Sequence, residues 1–157
     1  SQNRPVNATR LRYCGTVEPT SYAQAAAKEK PVGFDAGGGE VFRGPRPDAA
    51  RITIQVEINP PNPIEGQPFR VQARLVNGGD TGITLAKIEE SAARARGGFQ
   101  DVSGVAAPST VQVGAAFTIY STQAVLTEGN AYSKDVKVTD AVGDTWKTSI
   151  RIGVCPE

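Results

Sequence analysis

The sequence predicts an all-β fold: an antiparallel β-sandwich of about seven strands over residues 51–157, preceded by an extended arm over residues 1–50. Three observations carry this expectation. From Ile52 onward, apolar and polar residues alternate with period two, the pattern of a strand with one buried face. Turn signals interrupt that pattern roughly every 8–15 residues, with no strand–helix alternation and no internal repeat, which favours a sandwich over βαβ units. Finally, Pro5, Pro19, Pro31, Pro45 and Pro47, with Gly37-Gly38-Gly39, crowd the first stretch and set it apart.

Within the arm, Leu11-Arg12-Tyr13-Cys14 reads as a short strand. Tyr22 to Lys30 suits two helical turns with Ser21 as N-cap, ended by Pro31. Val32, Phe34, Val41 and Phe42 are the apolar handles by which the arm would dock on the sandwich or on another chain. The first sandwich strand presents Ile52, Ile54, Val56 and Ile58 on one face, and Asn59-Pro60-Pro61-Asn62-Pro63 stops it, since proline cannot donate to a ladder. Glu65-Gly66-Gln67-Pro68 turns into a second strand with Phe69, Val71, Ala73 and Leu75 inward. Asn77-Gly78-Gly79-Asp80 marks a loop, and a third strand carries Ile83, Leu85 and Ile88. Residues 91–110 are the least regular part, and Ser91 to Gly98 reads as an exposed basic loop around Arg94 and Arg96. Strand character returns at Val111–Val113, at Phe117 and Ile119, at Lys134–Thr139 and at Thr145–Val154. The last two are joined by Asp140-Ala141-Val142-Gly143-Asp144, whose glycine suits a residue at positive φ.

Composition narrows the setting. Seventeen Lys plus Arg against sixteen Asp plus Glu leave a formal charge of +1, so no general attraction to nucleic acid is expected. No apolar run approaches the roughly 20 residues needed to cross a bilayer as a helix. The sequence lacks methionine, which places the start of translation upstream; Ser1-Gln2-Asn3 suits a signal-peptidase product or a segment of a longer chain. Cys14 and Cys155 lie near opposite ends and suggest one disulfide tying the arm to the last strand, the alternative being two thiols in a reducing compartment. The disulfide implies an extracytoplasmic location: periplasm, cell surface or exterior.

Leu126-Thr127-Glu128-Gly129-Asn130-Ala131-Tyr132 resembles the tyrosine corner of immunoglobulin-like and fibronectin-type domains, with Tyr132 opening the sixth strand. Val136 to Thr145 is similar to the last hairpin of bacterial immunoglobulin-like repeats. Ile58-Asn59-Pro60, Glu65-Gly66-Gln67-Pro68-Phe69 and Leu75-Val76-Asn77-Gly78-Gly79-Asp80 are similar to the opening of bacterial cell-adhesion-related, CARDB-like modules. The resemblance covers residues 51–154 and implies an immunoglobulin-like sandwich, with little bearing on activity. It departs from antibody-type domains, because neither cysteine falls on the inner strands and Trp146 sits on the last one.

The absence of histidine removes Ser-His-Asp and Cys-His sites, His-ligated zinc and an imidazole base. Two cysteines are too few for a four-thiolate zinc site. Gly37-Gly38-Gly39 with Gly44 lacks the Lys-Ser/Thr and the strand–helix context of a phosphate loop. Glu89, Glu90, Asp101, Glu128, Asp140 and Asp144 are the carboxylates a hydrolase would draw on. Asp140 and Asp144, with Asp135 or Glu128, form a weak calcium candidate; the plainer reading has Asp140 capping its own turn and Asp144 solvated. Arg94 and Arg96, with Arg43, Arg46 and Arg51, would make a basic patch or simply solubilise their loops. Asn7-Ala8-Thr9 satisfies the glycosylation sequon.

The expected function is therefore that of a non-enzymatic structural or interaction module, without cofactors. It would dock into a larger envelope or extracellular assembly by protein–protein contact, with Tyr22, Phe34, Val41 and Phe42 on the arm as candidate contacts. Its partners would be other proteins or further copies of the chain. The alternatives are a pilus-like filament subunit built by strand addition and a carbohydrate or small-ligand module.

Overall fold

The computed structural model describes residues 10–24, 33–34, 40–41, 46–92, 100–101 and 109–156, with residues 33–34, 40–41, 92, 100–101 and 109 described by their backbone alone. The chain is all-β. Its strands are β1 (Tyr13–Val17), β2 (Ser21–Ala23), β3 (Gly33–Phe34), β4 (Glu40–Val41), β5 (Ile52–Asn59), β6 (Pro68–Asn77), β7 (Ile83–Ala92), β8 (Gln100–Asp101), β9 (Ser109–Val111), β10 (Ala116–Val125), β11 (Tyr132–Asp140) and β12 (Thr145–Val154). A 3₁₀ turn, Ala49–Arg51, leads into β5.

Two antiparallel sheets share one apolar cluster. The larger runs β1-β12-β11-β7-β8, with β2 also on β12 and β9 also on β7; the smaller runs β10-β6-β5. Among the described residues, the two-residue strands β3 and β4 pair only with each other. Alternation explains which side chains face inward. Phe69, Val71, Ala73 and Leu75 of β6 are all buried, as are Ile52 and Ile54 of β5, Val136 and Val138 of β11, and Trp146, Ile150 and Ile152 of β12. Each large side chain so buried contributes about 1.5–3 kcal/mol relative to an exposed one.

Strict alternation fails at two places, both bulges. Leu85 and Ile88 are both buried although three positions apart. Between them, β7 accommodates the extra residue Ala86 where the register passes from Thr139↔Lys87 to Asp140↔Leu85. On β10 the register shifts between Thr118 and Tyr120, and Ile119 points into the core. Gly143 closes the β11–β12 hairpin at φ 104, a conformation that side chains other than glycine's rarely allow.

Residues 10–24 are part of this fold. Tyr13 to Val17 pair with Val154 to Ile150, and Ser21 to Ala23 pair with Lys147 to Thr145, so the arm covers one edge of β12. Pro19 interrupts the ladder, and Thr20 turns its hydroxyl to the smaller sheet. There it accepts from the Ile54 N–H at 2.8 Å and donates to the Ile54 carbonyl at 3.4 Å. Tyr13 is fully buried, and Cys14 is joined to Cys155 by a disulfide across 141 residues of sequence. The helix expected from Ser21 is corrected over its first residues: Ser21, Tyr22 and Ala23 are strand. Backbone pairing with β12 outweighs a short, marginal helical propensity. Residues 25–32 lie outside the described residues. The basic loop expected from Ser91 is corrected over its first two residues, because β7 continues through Ser91 and Ala92, opposite Asp135 and Lys134; residues 93–98 lie outside the described residues.

Replacing Cys14 and Cys155 by Ser is expected to lower stability by about 2–5 kcal/mol, read as a shift in the urea midpoint. Amide exchange at Tyr13–Val17 should then accelerate well ahead of exchange in β6. Equal protection of the two strands in the variant would mean that the disulfide is not what retains the arm.

Candidate functional site

The most developed polar constellation surrounds the loop after β6. Asn77 is completely buried, and its amide nitrogen donates to the carbonyls of Thr81 at 2.9 Å and Val111 at 3.0 Å. Its side-chain oxygen accepts from the Gly79 N–H at 2.9 Å. Gly79 has no room for a side chain, since a Cβ there would run into the Asp48 carboxylate. Asp48 is itself buried, accepts from the Asp80 N–H at 2.6 Å and forms an ion pair with Arg46. The Arg46 guanidinium also donates to the carbonyl and hydroxyl of Thr81, at 2.8 and 2.9 Å. The hydrogen bonds from Arg46 hold the Asp48 carboxyl down at about 2; burial opposes them, and the Asp80 N–H adds to the lowering.

Tyr22 connects this constellation to the arm. Its hydroxyl accepts from the Arg46 N–H at 2.9 Å and donates to the Asp144 carboxylate at 2.7 Å. Its ring lies 5.3 Å from that of Trp146, tilted by 43°. Beyond Asp144, Asp140 accepts from the N–H groups of Val142, Gly143 and Asp144 through one oxygen, at 3.0, 2.9 and 2.9 Å. Burial pushes the Asp140 carboxyl up, against those amides. The Trp146 indole nitrogen is buried without a hydrogen-bond partner.

Between the arm and β5 lies an open groove of about 860 Å³. Pro19, Pro47, Ala50 and Tyr22 form its walls, and Ile52, Ile54 and Trp146 line its base. Its exposed rim combines Pro19, Pro47 and Ala50 with the polar side chains of Glu18 and Gln55, and Thr20, Thr53 and Arg46 also line it.

A second cluster stands between β10 and β11. The hydroxyls of Tyr120 and Tyr132 lie 3.0 Å apart, Lys134 sits 5.9 Å from the centre of the Tyr120 ring, and Lys134 pairs with Glu90 at 2.8 Å. Burial first, and then the bond to Tyr120, push the Tyr132 phenol up, so that it stays protonated. Tyr132 does open β11, but its hydroxyl meets Tyr120 instead of the upstream backbone that a tyrosine corner uses. A tyrosine-to-backbone bond at this turn comes from the arm: the Tyr13 hydroxyl accepts from the Gly129 N–H at 3.1 Å.

The other sequence candidates fall as follows. Phe34 and Val41 lie in β3 and β4, whose side chains are not described, and Phe42, Arg43, Arg94 and Arg96 lie outside the described residues. Arg46 turns inward as a structural ion-pair partner instead of joining a surface patch, and Arg51 pairs with Asp80 at 2.7 Å. Asp144 is buried, so it is not the solvated residue of the plainer reading. Asp135 pairs with Arg151 at 3.0 Å, and the Glu128 N–H donates to Glu65 at 3.2 Å. Among the described residues, no group of three or more acidic or cysteine side chains is arranged to hold a metal. Asp48, Asn77, Tyr13 and Glu65 carry structural roles that the sequence reading did not assign. The local signals there were for a short strand at Tyr13, a turn at Glu65-Gly66-Gln67-Pro68 and a loop at Asn77-Gly78-Gly79-Asp80.

No family model matches the chain, and no curated protein or solved structure matches it either.

Asp48 ionises at about 2 in the fold against an ordinary 3.8, so its stabilising contribution is complete above the ordinary value and is lost as pH falls through about 2. Asp140, with a raised value, works in the opposite sense: its contribution is complete at low pH and is lost as pH rises through its folded value. Asp48→Asn is therefore expected to lower stability by about 2 kcal/mol at neutral pH, the gap closing as acid protonates Asp48 in the unsubstituted chain. Urea titrations across that range test this; a gap independent of pH would deny the charge any part.

Proposed function

We propose that the chain is an extracytoplasmic immunoglobulin-like module that works by protein–protein contact and not by catalysis. The strand order supports the fold assignment. β5-β6-β10 corresponds to an A-B-E sheet and β12-β11-β7 to a G-F-C sheet, with β8 in the place of a fourth strand beside C. The CARDB-like turn sequences around Asn59-Pro60 and Asn77-Gly78-Gly79 agree with a bacterial module of this kind. The Cys14–Cys155 disulfide favours an oxidising compartment.

The observation that carries the contact reading is the groove beside Tyr22 and Trp146. Its aromatic–aliphatic base, with a rim that mixes Pro19, Pro47 and Ala50 with Glu18 and Gln55, suits an extended protein segment, which offers both apolar side chains and backbone hydrogen-bonding groups. In this reading the contact surface is the groove between residues 18–22 and β5, the backbone of residues 13–17 and 21–23 being already paired with β12. A photoreactive side chain at Ala50, on the rim, is expected to capture a defined protein partner in the native compartment. One at Lys87, on the outer face of the larger sheet, is expected to capture none. Equal capture from both positions, or none from either, would remove the reading.

A further inference from the structure

We propose that the outer edge of β10 is a self-association interface, where a second copy of this chain pairs with it antiparallel across a two-fold axis. The proposal rests on the interaction-module reading, for which it names one partner, and it is independent of the groove.

β10 ends the smaller sheet, and among the described residues its backbone pairs only with β6. It is ten residues long, Ala116-Phe117-Thr118-Ile119-Tyr120-Ser121-Thr122-Gln123-Ala124-Val125, with neither charge nor proline. Unpaired edges of that length and composition invite another strand, and proteins ordinarily blunt them. The other edges here are blunted. The larger sheet ends on β1 and β2, five and three residues long, which Pro19 separates and a disulfide fastens. On β5, the Thr20 hydroxyl occupies the N–H and carbonyl of Ile54, Glu57 adds a charge, and Pro60-Pro61 follow the strand. β8 and β9 are only two and three residues long. β10 has one such device, the bulge at Ile119, and beyond it the register from Tyr120↔Ala73 to Val125↔Pro68 is unbroken.

A second copy is the occupant that this composition fits. Across a two-fold axis a strand meets its own reversed sequence, so a charge near the axis faces itself or a near neighbour; a strand neutral there avoids that repulsion. Centred on Gln123, the pairing sets Ser121 against Val125 of the partner subunit and Thr122 against Ala124 of the partner subunit. Gln123 then meets Gln123 of the partner subunit, amide to amide. Faces match under this register: Ser121, Gln123 and Val125 are exposed, and Thr122 and Ala124 are half-buried. Val125, 51 % exposed, would be partly covered. Arg70 lies opposite Gln123 on β6 and donates to the Ser121 hydroxyl at 3.1 Å. Held at the two Ser121 positions, which this register sets four residues apart along adjacent strands, the guanidinium groups would stand about 14 Å apart, beyond the screening length of about 8 Å at physiological salt.

Sedimentation velocity on the full, oxidised chain over a concentration series tests the proposal. The unsubstituted chain should form a dimer and no larger species. Gln123→Lys and Gln123→Glu, which should move the urea midpoint only slightly and in opposite directions because Arg70 lies opposite on β6, should each weaken the dimer at least about tenfold. An equimolar mixture of the two should restore it, and amide exchange at Tyr120–Val125 should slow with concentration in the unsubstituted chain alone. A chain monomeric up to on the order of 1 mM, a dimer indifferent to both charges, or open-ended growth overturns the proposal. None of those results bears on capture at Ala50, and failed capture there does not bear on the dimer.

Discussion

A strand at the edge of a sheet leaves a row of N–H and carbonyl groups unpaired, and the rest of this molecule depends on how the edge of β12 is covered. Residues 10–24 do so from within the chain. Their ladder follows β12 from Val154 down to Thr145, with one break at Pro19. The break has a use, since it frees Thr20 to bond both backbone groups of Ile54 across the seam between the sheets. One segment thereby completes the larger sheet, ties it to the smaller one and supplies Tyr13 to the common core. The disulfide fixes one end of this seam, and the Tyr22 hydroxyl, shared between Arg46 and Asp144, fixes the other.

The seam explains why buried charge is tolerated beside it. Burying a carboxylate is expensive unless partners replace its water. Asp48 has a guanidinium and a backbone amide for that purpose, and Arg46 has Asp48 and both oxygen acceptors of Thr81. Asn77 fixes the chain around them through its bonds to Thr81, Val111 and Gly79. Because these groups satisfy one another, the constellation holds loops in place and has little capacity left for chemistry. It also sets the position of Tyr22 and Trp146, hence the shape of the groove.

How much of this was legible in the sequence depends on the range of the interaction. β5 and β6 could be read residue by residue, because alternation is a local property and one buried face enforces it. The hairpin glycine at 143 was legible for the same reason. The bulge at Ala86 was not, although the spacing of Ile83, Leu85 and Ile88 already breaks the period that a regular strand would keep. Ser21–Ala23 read as the start of a helix because nothing nearby reveals a strand partner more than 120 residues away. The site was harder still. Asp48, Asn77 and Asp144 are separated along the chain by stretches that carry no mark of their meeting. Each is a residue type that turns use freely, so the local reading of a loop residue was adequate and incomplete.

The edges of the two sheets then distinguish structure from contact more sharply than any cluster of side chains does. Where an edge is needed to complete the fold, the chain spends length, a proline and a disulfide on it, as along β12. Where an edge must stay inert, it is short, charged or capped by a hydroxyl, as on β5, β8 and β9. β10 belongs to neither group. Its inner side packs Ile119 into the core and its Tyr120 hydroxyl meets that of Tyr132, so the strand is firmly held from within. A fixed strand whose outer edge is neutral and, among the described residues, unpaired has already lost the conformational entropy that docking would otherwise cost. Pre-organisation of that kind is what lets backbone hydrogen bonds alone support an interface.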